Sequence, residues 1–284
     1  MINLDNLRLL AQGGQAEIYE LDIYKVIRVL RSTEDEENLK SEMAIMKLLK
    51  EKGKAVPKVY EYLKIDGRPS LIMERLNGET MLDEMKRKPF ELLKQAKKLA
   101  KLHIEVTDSA EGLGIISIND RAAYLIPKAE MLDEELKKFV LETLNQLPRG
   151  NDICHGDFHP GNIIIANGQY YVIDWSGVTS GEKLSDIAHT YLLLRNTPRT
   201  PGVNMFQSLI IGCSGSIISG KYLSSIEKNY PFDWSEFSKW MVVRAAERIY
   251  YGMPTEKEAL IKFIKKCRNA QIGGVKPSDW WKFI

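Results

Sequence analysis

The spacing of hydrophobic and polar residues changes along the chain. In the N-terminal part, apolar residues alternate or run in short blocks bounded by turn residues, which predicts strands. Leu7–Leu10 leads into Gly13-Gly14-Gln15, and Ala16–Leu21 and Ile23–Leu30 follow, with a tight turn near Asp22. Thr33 to Lys52 then takes a helical period. Ser32 or Thr33 offers an N-cap, acids fill the first turn, and Met43, Met46, Leu48 and Leu49 supply an apolar stripe. Val56–Leu63 and Pro69–Met73 read as two more strands, with a turn at Asp66–Gly67 before the second. Asn77–Gly78 breaks the pattern.

Beyond that break the period is mostly helical. Helices are predicted at Phe90–Val106, Asp133–Leu147, Leu184–Arg195, Phe206–Ile218, Trp234–Tyr251 and Glu256–Asn269. A strand-rich patch at Asn162–Ile173, with a turn at Asn167–Gly168, interrupts them. The pattern predicts a small β-rich part with one helix, then a larger helical part, joined near Glu74–Gly78. Clefts between two such parts are the usual place for a ligand.

Composition narrows the function classes. The 284 residues suffice for one large domain or two lobes. A net charge of +2 leaves no broad electrostatic footprint for nucleic acid or an anionic membrane. Any phosphate binding therefore comes from a local site. Three scattered cysteines fit neither a disulfide framework nor a cysteine zinc site. MINLDNLRLLAQGG has no basic region followed by an apolar core, so no signal peptide is expected. Phe206–Ile218 is too short for a membrane span. These features predict a cytoplasmic enzyme with no membrane or nucleic-acid partner.

The candidate chemistry lies in CHGDFHPGN, residues 154–162. Asn162 ends this loop just before a strand, and Asp174 follows the next strand, Tyr170–Ile173. A hairpin from Asn162 to Asp174 sets these two side by side at its open end. An amide oxygen and a carboxylate are hard ligands of the kind Mg²⁺ accepts, with water and phosphate completing the shell. Asp157 then stands nearby as a candidate base. The set suits phosphoryl transfer, in which the protein supplies positioning and charge stabilisation. A zinc site built from His155, Asp157 and His159 is disfavoured. It lacks the helical i, i+4 scaffold and any thiolate partner.

Taken together, HGDFHPGN, Asn162 five residues after Asp157, and IDW downstream resemble the aminoglycoside phosphotransferase and choline kinase-like family. The resemblance covers about residues 7 to 195. It implies an α+β, bilobal protein-kinase-like fold, with a nucleotide-binding N-lobe at 1–76 and a helical C-lobe at 77–284. It implies an ATP- and Mg²⁺-dependent transfer to a hydroxyl of a small molecule, with GTP as the alternative nucleotide. Asp157 takes the catalytic position and Asp174 that of the metal-binding aspartate. His159 fills a lysine position, and two roles stay open for it: contact with the transferred phosphate, or bracing of the loop. Asp186 matches a downstream aspartate expected to hold the loop backbone.

In the N-lobe, the resemblance maps Gly13 and Gly14 onto the phosphate-covering turn, although alanines stand where its outer glycines usually do. It maps Arg28 onto the strand cation that is usually lysine, with Lys25 as the alternative, and Glu42 onto its helix partner. Glu74, Arg75 and Leu76 form the hinge that meets the base through main-chain groups. Ile18, Val26, Ile164 and Ile173 would sandwich that base. A protein-kinase-like enzyme and a nucleotide-binding pseudokinase are the alternatives. Only eleven residues separate Asp174 from Asp186, with no Ala-Pro-Glu segment, which favours a small acceptor. For the acceptor, Glu182, Asp186, Asp233, Glu236 and Glu247 lie among aromatics in the helical half. That mixture suits a cationic amine such as an aminoglycoside or choline. A sugar is as compatible.

Overall fold

A computed structural model describes residues 2–195, 205–252 and 254–270, with backbone alone for 205–213. Residues 196–204, which include most of the proline-containing stretch RNTPRTPG at 195–202, and 271–284 lie outside the described residues. The chain divides into two compact units, Met1–Arg87 with Pro160–Val178, and Lys88–His159 with Thr179–Ile284. This differs from a single cut after residue 76, because the chain re-enters the first unit for one hairpin.

In the first unit, the alternating segments form β1 (Leu9–Gln12), β2 (Ala16–Glu20), β3 (Lys25–Leu30), β4 (Val59–Ile65) and β5 (Arg68–Glu74). They pair antiparallel in the order β1-β2-β3-β5-β4. The turn between β4 and β5 places both Asp66 and Gly67 at positive φ, 51° and 78°. That is the backbone a two-residue hairpin requires and that Asp-Gly readily adopts. Strand alternation splits β3 between two environments. Ile27 and Val29 join Leu4, Ile65 and Ile72 in one apolar cluster. Arg28 points to the other face, where α1 (Glu36–Glu51) lies. That helix starts later than its sequence suggests. Ser32 accepts from Glu34 N, closing a turn ahead of the helix rather than capping it.

Asn77–Gly78 does not end regular structure. Gly78–Thr80 forms β6, which pairs with β8 (Ile163–Ala166), and β8 pairs in turn with β9 (Gln169–Val172). Glycine is needed at 78 because a Cβ there would collide with the Ile165 carbonyl. A short helix α2 (Met81–Arg87) follows.

The second unit contains α3 (Leu92–Val106), α4 (Ile118–Leu125), α5 (Glu134–Leu144), α6 (Lys183–Arg195), α7 (Met205–Asn229), α8 (Trp234–Tyr251) and α9 (Pro254–Asn269). Helix α3 packs on α7, and α8 packs on α6 and α9. Side chains such as Leu99, Val140, Phe237, Trp240 and Ile264 bury their apolar faces between the helices. Among the described residues of this unit, β7 (Asp152–Cys154) pairs antiparallel with β10 (Thr179–Gly181). No described helix is long and apolar enough to cross a membrane.

Candidate active site

In the first unit, the β8–β9 hairpin turns at Asn167 and Gly168, both at positive φ. Its register, Ile163 opposite Val172, continues as Ile173 N donating to Asn162 O at 2.9 Å. Asn162 and Asp174 are thereby held at the same open end. Asp174 has φ 62°, a left-handed backbone uncommon outside glycine and tolerated best by Asp and Asn. Ser176 Oγ donates to Asp174 Oδ1 at 2.9 Å.

Arg28 reaches the same carboxylate. Its Nη2 lies 3.4 Å from Asp174 Oδ1, and its Nη1 donates to Glu42 Oε1 at 2.5 Å. Glu42 Oε1 also accepts from Trp175 N at 3.2 Å. One buried carboxylate on α1 therefore holds both the cation of β3 and the backbone beside Asp174. Burial pushes the Glu42 carboxyl up, and Asp174 adds to this, while Arg28 pulls it back. For Arg28, burial works against the charge, but Glu42 and Asp174 outweigh it and raise its pKa, so the guanidinium stays protonated. Lys25 is elsewhere: its ammonium sits 5.1 Å over the Tyr60 ring. Of the two candidate cations, Arg28 is thus the one brought to Glu42 and Asp174.

The remaining nucleotide candidates divide as follows. Ile18 stands directly opposite Arg28, and Val26 is two residues before it, so all three share one face of the sheet. Gly13 N donates to Ala16 O at 2.9 Å, closing the turn. Neither Gly13 nor Gly14 has a positive φ; a Cβ at Gly13 would make only an ordinary contact with Ala16 O at 3.6 Å, and one at Gly14 would meet nothing within 4 Å. Glu74 uses its side chain and its N–H to bind Lys58, and Arg75 N donates to Tyr24 O. Those two N–H groups are therefore already engaged. Ile164 lies between Tyr171 and Thr80 in the second sheet.

In the second unit, the loop 155–159 leaves β7 and is fixed by Asp186 at the start of α6. Asp186 Oδ2 accepts from His155 N at 2.7 Å, and Oδ1 accepts from Gly156 N at 2.9 Å. His103 Nε2 lies 3.1 Å from Asp186 Oδ2, and its Nδ1 meets the Tyr222 hydroxyl at 2.7 Å. Phe158 stacks on the His103 ring at 4.0 Å. Burial alone would raise the Asp186 carboxyl, but the bond and charge of His103, helped by His155 and Arg244, hold it well below the usual range. His155 Nδ1 accepts from Asp157 N at 3.2 Å, so this histidine braces the loop. His159 Nε2 lies 3.5 Å from Asp157 Oδ2. Burial works to raise Asp157, but His159, His155 and Arg248 lower it overall, and 46% of the side chain remains accessible.

The acids considered for an amine acceptor are mostly committed. Asp186 holds the loop, and Asp233 caps α8 by accepting from Glu236 N at 2.8 Å. Glu247 bridges Arg121 and Arg244. Sequence reasoning did not find Tyr222, the Trp175 N–H or Ser176. Ser176 had a local signal, two residues after Asp174. Tyr222 had none, being 119 residues from its partner.

The donor set at the hairpin end suits a hard divalent cation. One carboxylate and one amide side chain leave most of a six-oxygen shell for water and phosphate, as Mg²⁺ prefers. Among the described residues there is no cluster of three His, Cys, Asp or Glu side chains able to hold a metal by themselves.

This fold, a β-rich unit and a helical unit, is that of the kinase-like phosphotransferases. Among solved structures, the apo form of a thermostable mutant of aminoglycoside phosphotransferase APH(4)-Ia is 14% identical, with 94% of each chain covered and a TM-score of 0.62. A ternary complex of such a mutant with AMP-PNP and hygromycin B gives 14% identity, coverage of 94% and 93%, and a TM-score of 0.62. The GDP and kanamycin complex of APH(2")-IIia gives 16%, 95% and 93%, and 0.54. At such identity the likeness establishes the fold. No curated protein sequence matches closely enough to serve as a relative. The chain itself belongs to the APH phosphotransferase enzyme family, which it matches over residues 7–209.

Proposed function

We propose that the protein is an ATP- and Mg²⁺-dependent phosphotransferase that acts on a hydroxyl of a small molecule in the cytoplasm. The observation that carries this reading is the joining of Arg28, Glu42, Asp174 and the Trp175 backbone at the open end of the β8–β9 hairpin. A buried guanidinium held between two carboxylates is a preorganised partner for phosphate oxygens. It argues against a decayed site, because Arg28 and Glu42 are both buried, and a buried ion pair by itself gives little net stability.

In this reading Arg28, oriented by Glu42, binds the α- and β-phosphates. The turn at Gly13 and Gly14 covers them, since neither glycine is required by crowding or backbone strain and both leave room for a phosphate to approach. Ile18, Val26 and Ile164 pack on the base, and Leu76 offers its main chain to the base edge. Asn162 and Asp174 would hold Mg²⁺, which when bound neutralises charge on the phosphates. Asp157, ionised at neutral pH, accepts the proton of the acceptor hydroxyl as its oxygen bonds to the γ-phosphorus and the bond to the β-phosphate oxygen breaks. His159, beside Asp157, keeps that carboxylate charged and oriented.

The test has two parts. Titration with AMP-PNP and with a GTP analogue, each with and without Mg²⁺, reads nucleotide choice and metal dependence. Phosphate transfer from ATP is then followed over amino sugars, sugars and amino alcohols. Asp157→Ala is expected to lower kcat by about 10²- to 10⁴-fold with little change in nucleotide affinity. A variant as active as the wild type on every acceptor it uses would remove Asp157 from the mechanism. Nucleotide binding without transfer to any acceptor would favour the pseudokinase.

A further inference from the structure

Helices α3 and α7 pack together and enclose a groove of about 540 Å³ on the second unit. Lys97 and Lys101 of α3 and Lys221 and Lys228 of α7 line it, with Ser224 beside them. One carboxylate, Glu105, faces these four lysines, and Lys101 pairs with it at 3.5 Å. Among the described residues, the ammonium groups of Lys97, Lys221 and Lys228 make no ion pair or hydrogen bond. Three uncompensated cations around one concavity repel one another and concentrate anions, and the whole chain carries only +2. The volume is that of a small-molecule site rather than a macromolecular surface.

The groove also has a defined relation to the loop 155–159. Its walls are the two helices that carry His103 and Tyr222. His103 lies between Lys101 and Ile104 in sequence, and Tyr222 directly follows Lys221. These two side chains point inward and bond to each other, and His103 holds Asp186, which holds the loop backbone. An anion that bridges α3 and α7 therefore acts on the same helix pair that supports the loop from behind.

We propose that the α3–α7 groove is an effector site for a small polyanion bearing phosphate or carboxylate groups. The lysines supply the charge, while the Ser224 hydroxyl donates to Lys221 O at 3.1 Å. Binding tightens the Tyr222–His103–Asp186 chain, and so reduces opening of the loop that carries Asp157.

Calorimetric titration with pyrophosphate and, separately, with citrate distinguishes phosphate from carboxylate recognition. Saturating Mg²⁺-AMP-PNP is present throughout to occupy the nucleotide site. At least one probe is expected to bind, and at least about tenfold more weakly to the combined Lys97→Gln, Lys221→Gln, Lys228→Gln variant. These lysines are surface residues, and a second variant, Lys228→Glu alone, gives the same direction with less perturbation. Hydrogen exchange at residues 155–158 is expected to slow on binding in the wild type, and to slow less in Tyr222→Phe. Failure of both probes to bind, or equal binding to wild type and both lysine variants, overturns the site. Binding with unchanged exchange at 155–158 overturns its effector role. None of these readouts depends on phosphate transfer, so a failure here is separable from failure of the phosphotransferase reading.

Discussion

Glu42 joins the cation of β3 to the backbone beside Asp174. It is 2% exposed and serves Arg28 and Trp175 N through one oxygen. Glu42→Ala leaves a buried guanidinium with only the longer contact to Asp174. Breaking such a pair costs about 3–5 kcal/mol, so a clear fall in Tm is expected together with weaker nucleotide binding. A variant of unchanged stability would show that Arg28 finds solvent or another partner. Asp186 plays the corresponding role in the second unit, and pH exposes it. Its carboxyl titrates lower in the folded protein than in the unfolded chain, so the unfolded state takes up the proton first. The stability it contributes is complete above the ordinary aspartate range, about 4, and is lost as pH falls through that range toward the folded value. Denaturant melts of Asp186→Asn are expected to show a flatter loss of stability with acid than wild type. Parallel curves would remove Asp186 as the source. Arg28 and Glu42 were candidates in the sequence because the resemblance gives each a place, but it left Lys25 as the alternative cation. Their shared use of the Trp175 backbone was not, since a backbone N–H carries no sequence label.

At the scale of elements, periodicity succeeded where a segment buries one face. The helix Trp234–Tyr251 and the hairpin turns at Asp66–Gly67 and Asn167–Gly168 follow directly from pattern and turn chemistry. The short elements did not. Helices α2 and α4 and strands β6, β7 and β10 are too brief for a period to show, and each is stabilised by distant partners. Gly78 illustrates the difficulty. Beside Asn77 it reads as a breaker, yet it lies in a strand because the Ile165 carbonyl approaches too closely for any side chain. Gly78→Ala must displace β6 from β8, with an expected loss of about 1–3 kcal/mol measured by denaturant unfolding. Gly14→Ala, where a Cβ meets open space, serves as the control and is expected to leave stability nearly unchanged. Equal effects of the two would refute the packing explanation.

At the scale of the whole molecule, the first unit is discontinuous. Residues 160–178 supply β8, β9, Asp174 and Trp175 to a unit that otherwise ends at Arg87. A fragment of residues 1–87 therefore lacks the strand partner of β6 and both the Asp174 and Trp175 contacts. It is expected to be largely unfolded by circular dichroism and amide-proton dispersion. Cooperative folding of that fragment would show that the five-stranded sheet is self-sufficient. The same discontinuity explains why a single cut after residue 76 was the natural reading of the sequence. A change from strand period to helix period is visible along the chain, whereas the return of one hairpin to an earlier sheet is a long-range pairing.

The sequence by itself determined the motif: Asp157, Asn162 and Asp174 at fixed spacing, a hairpin between the last two, a β-rich beginning and a helical remainder. These follow from short-range constraints, namely turn residues, alternation and the few residues linking one functional group to the next. Only the tertiary structure decided which of Arg28 and Lys25 meets Glu42, that Glu42 also holds the Trp175 backbone, and that Tyr222 is the partner of His103 behind the loop. Those choices depend on which strand face the sheet turns toward α1 and on helices meeting across more than a hundred residues. Burial, not spacing, selects among the side chains that local pattern leaves equivalent.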